Sequence, residues 1–564
     1  MRRIVACFIA SAAMMAWSQE ERCISIDDYR DKMAAGWLGQ IAGVCWGAPT
    51  EFKWNDEIIP LAKMPHWSPE MINQAFEQDD LYVEMTFLRT LENYGLGVSI
   101  RQAGIDFANS EYKLWCANDA GRKNLRKGIA PPASSHPRYN SRGNDIDYQI
   151  EADFAGLISP GLPNSVIQLG ETFGRLMNYG DGVYGGQFMG ALYAEAFFTT
   201  NIQQIIAAGL AAIPEKSQYA EMVRDLVRWH QENPNDWQDA WRLCVKKYRR
   251  DAAYQKASNG GIDVRINGAA ILLGLLYGNS DLDQTIIMAC RAGWDSDCNP
   301  SSAAGVLFTT RGKTQLPARF TEKLDTQKKF SYTAYSFPEL LQVCEKLARQ
   351  IVVQHGGRID TVAGKPCFII PVQKPTPHAL ELTWSPGPCN DERFTPEEYA
   401  QIKFKPHPAD ISHPDPTTRV QAALTQLFRD PMGNATWTTS PNGRDMDPGY
   451  REEYLGRKDV LMTHPLNPKT GVTLTKICEV PMGASHLNIT LANSRGGDFC
   501  FRARINGKDV VSCKIGDSKT GEAHWQTIPI AIAEYAGQKI TVELINQPDG
   551  WMNEAAYWGA IEIK

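Results

Sequence analysis

Two pairs of aspartates stand at positions where carboxylates could bind a cation or carry out acid–base chemistry. Asp79 and Asp80 come directly before an amphipathic segment that ends at Gly95. Asp295 and Asp297 lie in the sequence GWDSDCNP, between two apolar stretches. Both pairs are predicted at helix N-termini, where free N–H groups and the helix dipole favour carboxylates. Taken singly, either pair is also explained as a helix cap.

The two pairs together are more informative than either one, because four carboxylates would share a small space if the helix starts meet. Helix dipoles contribute only about 0.3–1 kcal/mol each and do not offset that repulsion. Either the pKa values of the acids rise or a cation lies among them. Oxygen ligands favour Mg²⁺, with Mn²⁺ or Ca²⁺ as alternatives, over zinc. The sequence by itself leaves open whether the pairs meet.

The elements that must position these acids are predicted to be helices. From about Ile26 to Val352, apolar residues recur at three- and four-residue intervals and glycines close many segments. This predicts a large all-α domain over residues 24–355. Proline then becomes frequent, so residues 356–434 are predicted to be a connecting region. Residues 435–564 alternate in β fashion, with turns at about 8–12-residue spacing, which predicts a β-sandwich of jelly-roll type.

The N-terminus has the pattern of a secretion signal. Arg2 and Arg3 precede an apolar stretch, and the small residues Ala16 and Ser18 then precede a cleavage site before Gln19. Residues 1–18 are therefore expected to be a signal peptide, and the protein to be periplasmic or secreted. The apolar stretch is shorter than the roughly 20 residues that span a bilayer, so no membrane insertion is expected. The net charge of −6 argues against nucleic acid as a partner. The oligomeric state is left open.

Two cysteines are predicted to pair across a β-hairpin. The segment 500–513, CFRARINGKDVVSC, has Asn-Gly at its centre, which is the strongest short hairpin signal. Counting outward from a two-residue turn places Arg504 opposite Asp509 and Cys500 opposite Cys513. The cysteines then fall on a pair whose side chains are close. This predicts a hairpin and a Cys500–Cys513 disulfide.

Three segments together resemble a known family. KMAAGWLGQIAGVCWGAPTEF, QDDLYVEM and AGWDSDCNPSSAAGVLFTTRGKTQLP occur in the order and spacing of the ADP-ribosylglycohydrolase family, from Ile26 to Pro317. The resemblance implies an all-α fold with one or two magnesium ions that grip ribose hydroxyls and the attacking water. It implies catalytic roles for Glu51 and Asp80. The metal ligands that it implies are Gln78, Asp79, Asp80, Asp295 and Asp297.

The chain departs from the family pattern at three positions. Gln78 and Cys298 replace two threonines that help to hold the metal in the family, and Val44 replaces an early aspartate. Gln78 still offers an amide oxygen, whereas a cysteine is a poor ligand for magnesium. The number of metal ions is therefore left open.

The middle of the helical domain supplies further candidates for the site. Asp147, Glu151 and Asp153 are predicted to border the pocket. The sequence GDGVYGGQF is predicted to form a flexible glycine loop that leads into a helix and approaches a ligand, with an ordinary turn as the alternative. The predicted substrate-binding residues are Glu151, Asp153, Tyr184, Gly185 and Gly186.

The chemistry expected from these residues is metal-dependent hydrolysis of an N- or O-glycosidic bond, in an ADP-ribose conjugate or another glycoside. Glu51, Glu151 or Asp153 is expected to protonate the leaving group. The β domain resembles a galactose-binding-like or carbohydrate-binding module. Its tryptophans are either sugar-stacking platforms or sandwich core; they are Trp525, Trp551 and Trp558. The alternative function is an inactive glycan-binding or scaffold protein on the same fold.

Overall fold

The computed structural model describes residues 20–257, 262–405, 415–428, 436–443, 446–518, 523–551 and 553–564. The predicted signal peptide therefore lies outside the described residues. The chain divides into two compact units at Phe404 and Lys405. The first unit extends beyond residue 355, where the sequence suggested that the helical domain would end, because the segment up to Phe404 packs as part of it.

The first unit is built of helices, as predicted. In its longest helix, α1, every residue from Met33 to Gly47 is buried. The α-helices are α1 (Ile26–Gly47), α2 (Asp79–Tyr94), α3 (Ile100–Ala108), α4 (Cys116–Arg126), α5 (Asp147–Ile150), α6 (Asp153–Leu157), α7 (Pro163–Phe173), α8 (Asp181–Ala196), α9 (Ile202–Ala211), α10 (Gln218–Glu232), α11 (Trp237–Cys244), α12 (Ala252–Gln255), α13 (Val264–Tyr277), α14 (Leu282–Arg291), α15 (Cys298–Arg311), α16 (Phe337–Gln354) and α17 (Pro396–Ala400). Short 3₁₀ segments and a π turn at Val245–Arg250 join several of them.

A glycine stripe on α1 allows α15 to pack very closely against it. Gly39, Gly43 and Gly47 are spaced four residues apart and so lie on one face of the helix. A Cβ on any of them would collide with backbone atoms of α15 or of the loop that precedes it. At Gly47 those atoms belong to Ser296 and Asp297. The helix therefore supports the loop of the second aspartate pair directly.

A small antiparallel sheet, which the helical prediction did not include, closes the first unit. Its strands are β1 (Glu21–Ser25), β2 (Arg358–Val362) and β3 (Lys365–Pro371), in the order β1-β3-β2. The chain that follows β3 is held by side chains of the helices. Tyr184 on α8, for example, accepts a hydrogen bond from the N–H of Glu381 at 2.8 Å.

The second unit contains two five-stranded antiparallel sheets, which confirms the predicted all-β sandwich. A helix at Pro416–Leu427 precedes them. The strands are β4 (Thr438–Thr439), β5 (Gly449–Tyr454), β6 (Arg457–Thr463), β7 (Val472–Glu479), β8 (His486–Asn493), β9 (Asp498–Ile505), β10 (Lys508–Gly516), β11 (Gln526–Ala531), β12 (Lys539–Gln547) and β13 (Ala556–Ile563). One sheet has the strand order β10-β9-β12-β7-β4 and the other β11-β8-β13-β6-β5.

The predicted hairpin is present as β9 and β10, but the predicted disulfide is wrong. Arg504 lies opposite Asp509, as expected, and the two form an ion pair at 2.9 Å. The register then shifts by one residue between Asp509 and Val511. Because such a bulge moves every later pair, Cys500 lies opposite Lys514 instead of Cys513, and both thiols are free.

The three tryptophans of the β unit have different environments. Trp558 is fully buried and its indole N–H donates to Thr463 Oγ1 at 3.0 Å, so it belongs to the core. Trp525 is half-buried beneath the guanidinium of Arg457, 5.3 Å from its ring centre. Trp551 is 40% exposed.

Within the described ranges, no helix has the length and apolar character that crossing a bilayer requires.

Candidate active site

Each aspartate pair lies where a helix begins, as predicted. Helix α2 starts at Asp79, with Gln78 as its N-cap. Helix α15 starts at Cys298, with Asp297 as its N-cap. Neither the side chain of Gln78 nor that of Asp297 makes the usual N-cap hydrogen bond to its own helix. The role of the Asp297 carboxylate is therefore not explained by N-capping.

The loop that carries Glu51 is attached to the loop that precedes Asp295. The N–H of Phe52 donates to the carbonyl of Trp294 at 2.9 Å, and the N–H of Trp294 donates to the carbonyl of Trp54 at 2.9 Å. Phe52 and Trp294 have φ angles of 50° and 54°, which bulky residues adopt rarely. The pairing therefore fixes an uncommon backbone and holds Glu51 beside the second aspartate pair.

The two helix N-termini converge, which the sequence could not show. The thiol of Cys298 donates to Asp80 Oδ1 at 3.0 Å and lies 3.7 Å from Asp297 Oδ1. Ligand atoms of Asp295, Asp297 and Cys298 all lie within 4.8 Å of one another. We call Asp79, Asp80, Asp295, Asp297 and Cys298 the acid cluster.

Burial and mutual repulsion raise the pKa values of the aspartates in this cluster. Burial, followed by the charge of Asp297, raises the pKa of Asp79 to about 6. Burial and the charges of Asp79 and Asp297 hold the pKa of Asp80 well above its usual range. Burial and the charge of Asp297 do the same to the pKa of Asp295. The acids therefore resist ionisation unless a positive charge joins them.

Glu51 is the acid of this region that faces solvent. Its side chain is exposed, yet surrounding protein removes enough hydration to raise its pKa to about 8, with the charges of Asp297 and Asp79 adding to the effect. A side chain that is exposed and yet partly dehydrated is typical of a cleft. A carboxyl of this kind carries a proton at neutral pH and can give it to a bound ligand.

A second carboxyl pair, not predicted as a unit, lies behind Asp80. Glu84 and Asp153 are both fully buried. Glu84 accepts a hydrogen bond from the N–H of Phe154 at 2.8 Å, while Asp153 accepts from the hydroxyl of Tyr193 at 2.9 Å. Burial and the charge of Asp153 hold the pKa of Glu84 well above its usual range. Burial raises the pKa of Asp153 to about 8.

Sequence reasoning identified Asp153 but missed Glu84. The missed signal was the position of Glu84 one turn after Asp80, as the only charged residue among the apolar and hydroxyl side chains of 81–88. A carboxylate in a buried helical face needs a partner, and that partner came from a distant part of the chain.

Asp147 and Glu151 also border the cluster, but Asp147 has a clear structural role. Its carboxylate accepts hydrogen bonds from the N–H groups of Ala117 at 3.2 Å and Asn118 at 2.8 Å, and so caps helix α4. Burial nevertheless raises the pKa of Asp147 to about 7. Glu151 accepts a hydrogen bond from the side chain of Asn118. Burial and the charge of Asp147 hold the pKa of Glu151 well above its usual range.

Several buried oxygens of this region have no hydrogen-bond partner among the described residues. They are Asp80 Oδ2, Glu84 Oε1, Glu151 Oε2 and Asp153 Oδ1. A buried carboxylate oxygen without a partner is costly. The cost is removed by a proton or by a cation, and clustered carboxylates are the donor set that divalent cations accept. Asp80 Oδ2 belongs to the acid cluster, and the carboxylates of that cluster therefore fit a bound divalent cation.

The segment predicted as a glycine loop is instead the first part of helix α8. Gly185 and Gly186 are helical and buried. A Cβ on Gly186 would collide with the ring of Tyr148, and one on Gly185 with Val264, so these glycines permit close helix packing. The hydroxyl of Tyr184 donates to the carbonyl of Ala379 at 3.2 Å. These contacts account for the three residues structurally, and their predicted role in substrate binding stays a prediction.

An aromatic cluster adjoins the first aspartate pair. Tyr82, one turn after Asp79, has its ring 5.2 Å from those of Tyr112 and Tyr332. The charge of Asp79 contributes to a raised pKa of Tyr82, after burial. Tyr332 is 57% exposed and has a φ of 60°. An open aromatic face therefore lies near the acid cluster, where it can stack on a planar or sugar ring.

The mainly helical unit and its converging carboxylates define a class of helical proteins with a candidate cation site at paired helix N-termini. A family model described as ADP-ribosylglycohydrolase matches residues 25–362, which is more than half of the chain. The chain belongs to the ADP-ribosylglycohydrolase family, as its three motifs indicated. The matched region contains the whole acid cluster and Glu51.

A solved structure described as an "ADP-ribosylglycohydrolase-related protein complex" is similar to this chain at 13% sequence identity, with a TM-score of 0.35. The similarity covers 58% of this chain and 100% of that chain. No curated protein matches the chain.

Proposed function

We propose that the acid cluster hydrolyses a glycosidic bond, in an ADP-ribose conjugate or another glycoside, with the help of a bound divalent cation. The observation that carries the proposal is the contact of Cys298 with Asp80, which joins the N-termini of α2 and α15. Capping alone does not require two helix starts to meet. Membership of the ADP-ribosylglycohydrolase family supports a glycohydrolase fold.

In this proposal Asp79, Asp80, Asp295 and Asp297 hold the cation, with Mg²⁺ as the family-based expectation and Mn²⁺ or Ca²⁺ as alternatives. The cation, when bound, supplies Lewis-acid polarisation and a more acidic water. The same carboxylates stabilise the positive charge that develops on the sugar ring in an oxocarbenium-like transition state. Gln78, at the half-buried start of α2, offers an amide oxygen to the same site.

Glu51 is proposed as the acid that protonates the leaving group. It is exposed, it adjoins the cluster, and its raised pKa keeps it protonated near neutral pH. Glu151 and Asp153 are buried and hydrogen-bonded within the protein, which suits them to shaping the field around the cation rather than to reaching a leaving group. The exposed ring of Tyr332 is proposed to contact the substrate.

The test of this function is the Asp297→Asn variant, compared with Asp281→Asn. Asp281 is also at a helix N-terminus, where its side chain accepts the N–H of Gln284 at 2.8 Å, and asparagine preserves such a cap. Both variants should fold. Asp297→Asn should lose cation binding and hydrolysis of ADP-ribosylated peptide or of glycans, whereas Asp281→Asn should retain both. Equal activity of the two variants would refute the assignment of the site.

The β unit is proposed to bind carbohydrate in the manner of a galactose-binding-like module. The support is Trp551, whose exposed ring lies 5.2 Å from that of His464. A Trp551→Ala variant should migrate faster than the wild type in gels that contain the bound glycan. If no glycan in a broad panel retards the wild type, the proposal for this unit is wrong.

Export is proposed from the first 18 residues of the sequence. N-terminal sequencing of the mature protein, after cell fractionation, should find Gln19 at its start. A cytoplasmic protein that retains Met1 would contradict export.

A further inference from the structure

The side chain of Cys298 lies inside the acid cluster rather than beside it. The residue is 4% exposed and is the first residue of helix α15. Its sulfur approaches Asp80 from α2 and Asp297 from its own loop, at 3.0 Å and 3.7 Å. Asp295, Asp297 and Cys298 form a group whose ligand atoms all lie within 4.8 Å of one another. The sulfur therefore occupies a position from which it can share a cation with Asp295 and Asp297, while it contacts Asp80 of the other helix start.

The distances between sulfur and oxygen match those around a single ion. With metal–sulfur and metal–oxygen bonds of about 2.3 Å and 2.1 Å, two such ligands lie about 3.1 Å apart at a right angle and about 3.6 Å apart at a tetrahedral angle. The observed separations of 3.0 Å and 3.7 Å fall at these two values. The sulfur is thus at ligand-to-ligand distance from each oxygen singly, and Asp80 must approach the group of Asp295, Asp297 and Cys298 for one ion to bind all of them.

A second observation points to a missing partner in the same place. Asp80 is 1% exposed, and its Oδ2 has no hydrogen-bond partner among the described residues. Its other oxygen, Oδ1, accepts a weak donor among the described residues, the thiol of Cys298. Such a carboxylate is poorly compensated by the protein and is well placed to accept a cation.

We propose that Cys298 is a ligand of the cation and that the cluster binds a thiophilic divalent cation, zinc or cobalt, in preference to magnesium. The inference rests on the proposed function and deepens it, since it concerns the same site. Thiolate sulfur is a soft donor that favours zinc and cobalt, whereas magnesium requires oxygen ligands. As the metal–sulfur bond forms, the thiol proton passes to the solvent buffer, so cation binding releases a proton.

The test uses the whole protein and Co²⁺ as a spectroscopic probe. Addition of Co²⁺ to the wild type should produce a near-ultraviolet thiolate-to-cobalt charge-transfer band. The Cys298→Thr variant should lack the band and should bind Zn²⁺ at least roughly 10-fold more weakly, with Mg²⁺ affinity equal to or higher than that of the wild type. Cys344→Ala removes an equally buried thiol from α16, outside the cluster, and should keep the band.

X-ray absorption of the zinc-loaded wild type provides a measurement that needs no variant to fold. It should show one sulfur at about 2.3 Å from zinc among oxygen ligands. A zinc shell of oxygen alone, or a Cys298→Thr variant with unchanged Zn²⁺ affinity, would overturn the inference. The proposed hydrolase function would survive that result if Asp297→Asn still lost cation binding and activity, and it would fail if Asp297→Asn kept both.

Discussion

Replacement of Gly47 by alanine tests whether the close packing of α1 positions the acid cluster. A Cβ on Gly47 would lie 2.0 Å from the carbonyl oxygen of Ser296 and 2.6 Å from the Cα of Asp297, whereas ordinary contact begins at 3.4 Å. These are backbone atoms, so no side-chain rotation relieves the clash. The loop must therefore move away from α1 by roughly 1.4 Å at Ser296 and roughly 0.8 Å at Asp297, because packed interiors have no free space to absorb the new methyl group.

The expected cost appears mainly in cation binding rather than in folding. Gly47 has φ −80° and ψ −31°, which alanine adopts without strain. Overpacking costs about 1–3 kcal/mol, of which up to about 1 kcal/mol is offset by the better helix propensity of alanine. A displacement near 1 Å at a site of fixed geometry costs about 100-fold in function. From these two magnitudes we expect the Gly47→Ala variant to remain folded and to bind its cation about 10- to 100-fold more weakly than the wild type.

Isothermal titration with Zn²⁺ and Mn²⁺ measures the affinity, and circular dichroism with thermal unfolding measures the fold. Gly97→Ala is the matched control, because no atom lies within 4 Å of a Cβ at that position. The control should bind cations as the wild type does. Wild-type affinity in a folded Gly47→Ala protein would refute the argument that the α1 packing positions Asp297.

Two further predictions concern protonation. Burial raises the pKa of Asp147 to about 7 and that of Asp153 to about 8 in the folded protein, above the values in the unfolded chain. The protonated forms of these two acids therefore stabilise the fold fully at low pH, and this stabilisation is lost as the pH rises through 7–8. The melting temperature of the metal-free protein should thus fall between pH 5 and pH 8, and added divalent cation should raise it more at pH 8; a flat metal-free profile would contradict the buried-acid reasoning. Glu51→Gln should lower kcat by about 100-fold or more with little change in cation affinity, and the alkaline limb of the pH–rate profile near pH 8 should disappear; an unchanged limb would show that another group is the acid.

Local signals were sufficient to predict the classes of the two units. Apolar spacing and terminal glycines predicted the helices, and alternation with regular turns predicted the sandwich, because both patterns arise from the geometry of a single element. The same reasoning placed Asp79 and Asp297 at helix starts, where the structure has them. It failed for the GDGVYGGQF segment, because buried glycines in helix α8 and glycines in a loop have the same composition.

Register and long-range pairing were not predictable in this way. Counting from the Asn-Gly turn gave the correct partner for Arg504, yet a single bulged residue beyond Asp509 separated Cys500 from Cys513. A bulge responds to packing across the sheet, so nothing in the strand's own alternation reports it. The pairing of Glu84 with Asp153 was missed for a similar reason, since their partners come from distant segments.

The sequence by itself determined that this protein has a large helical unit and a β-sandwich, that it has the motifs of the ADP-ribosylglycohydrolase family, and that aspartates lie at two helix starts. Those properties depend on neighbours along the chain. Only the tertiary structure decided that the two helix starts meet and that Cys298 lies between their carboxylates. That decision depends on how closely α1 and α15 pack through Gly39, Gly43 and Gly47, a three-dimensional fit that no local pattern specifies.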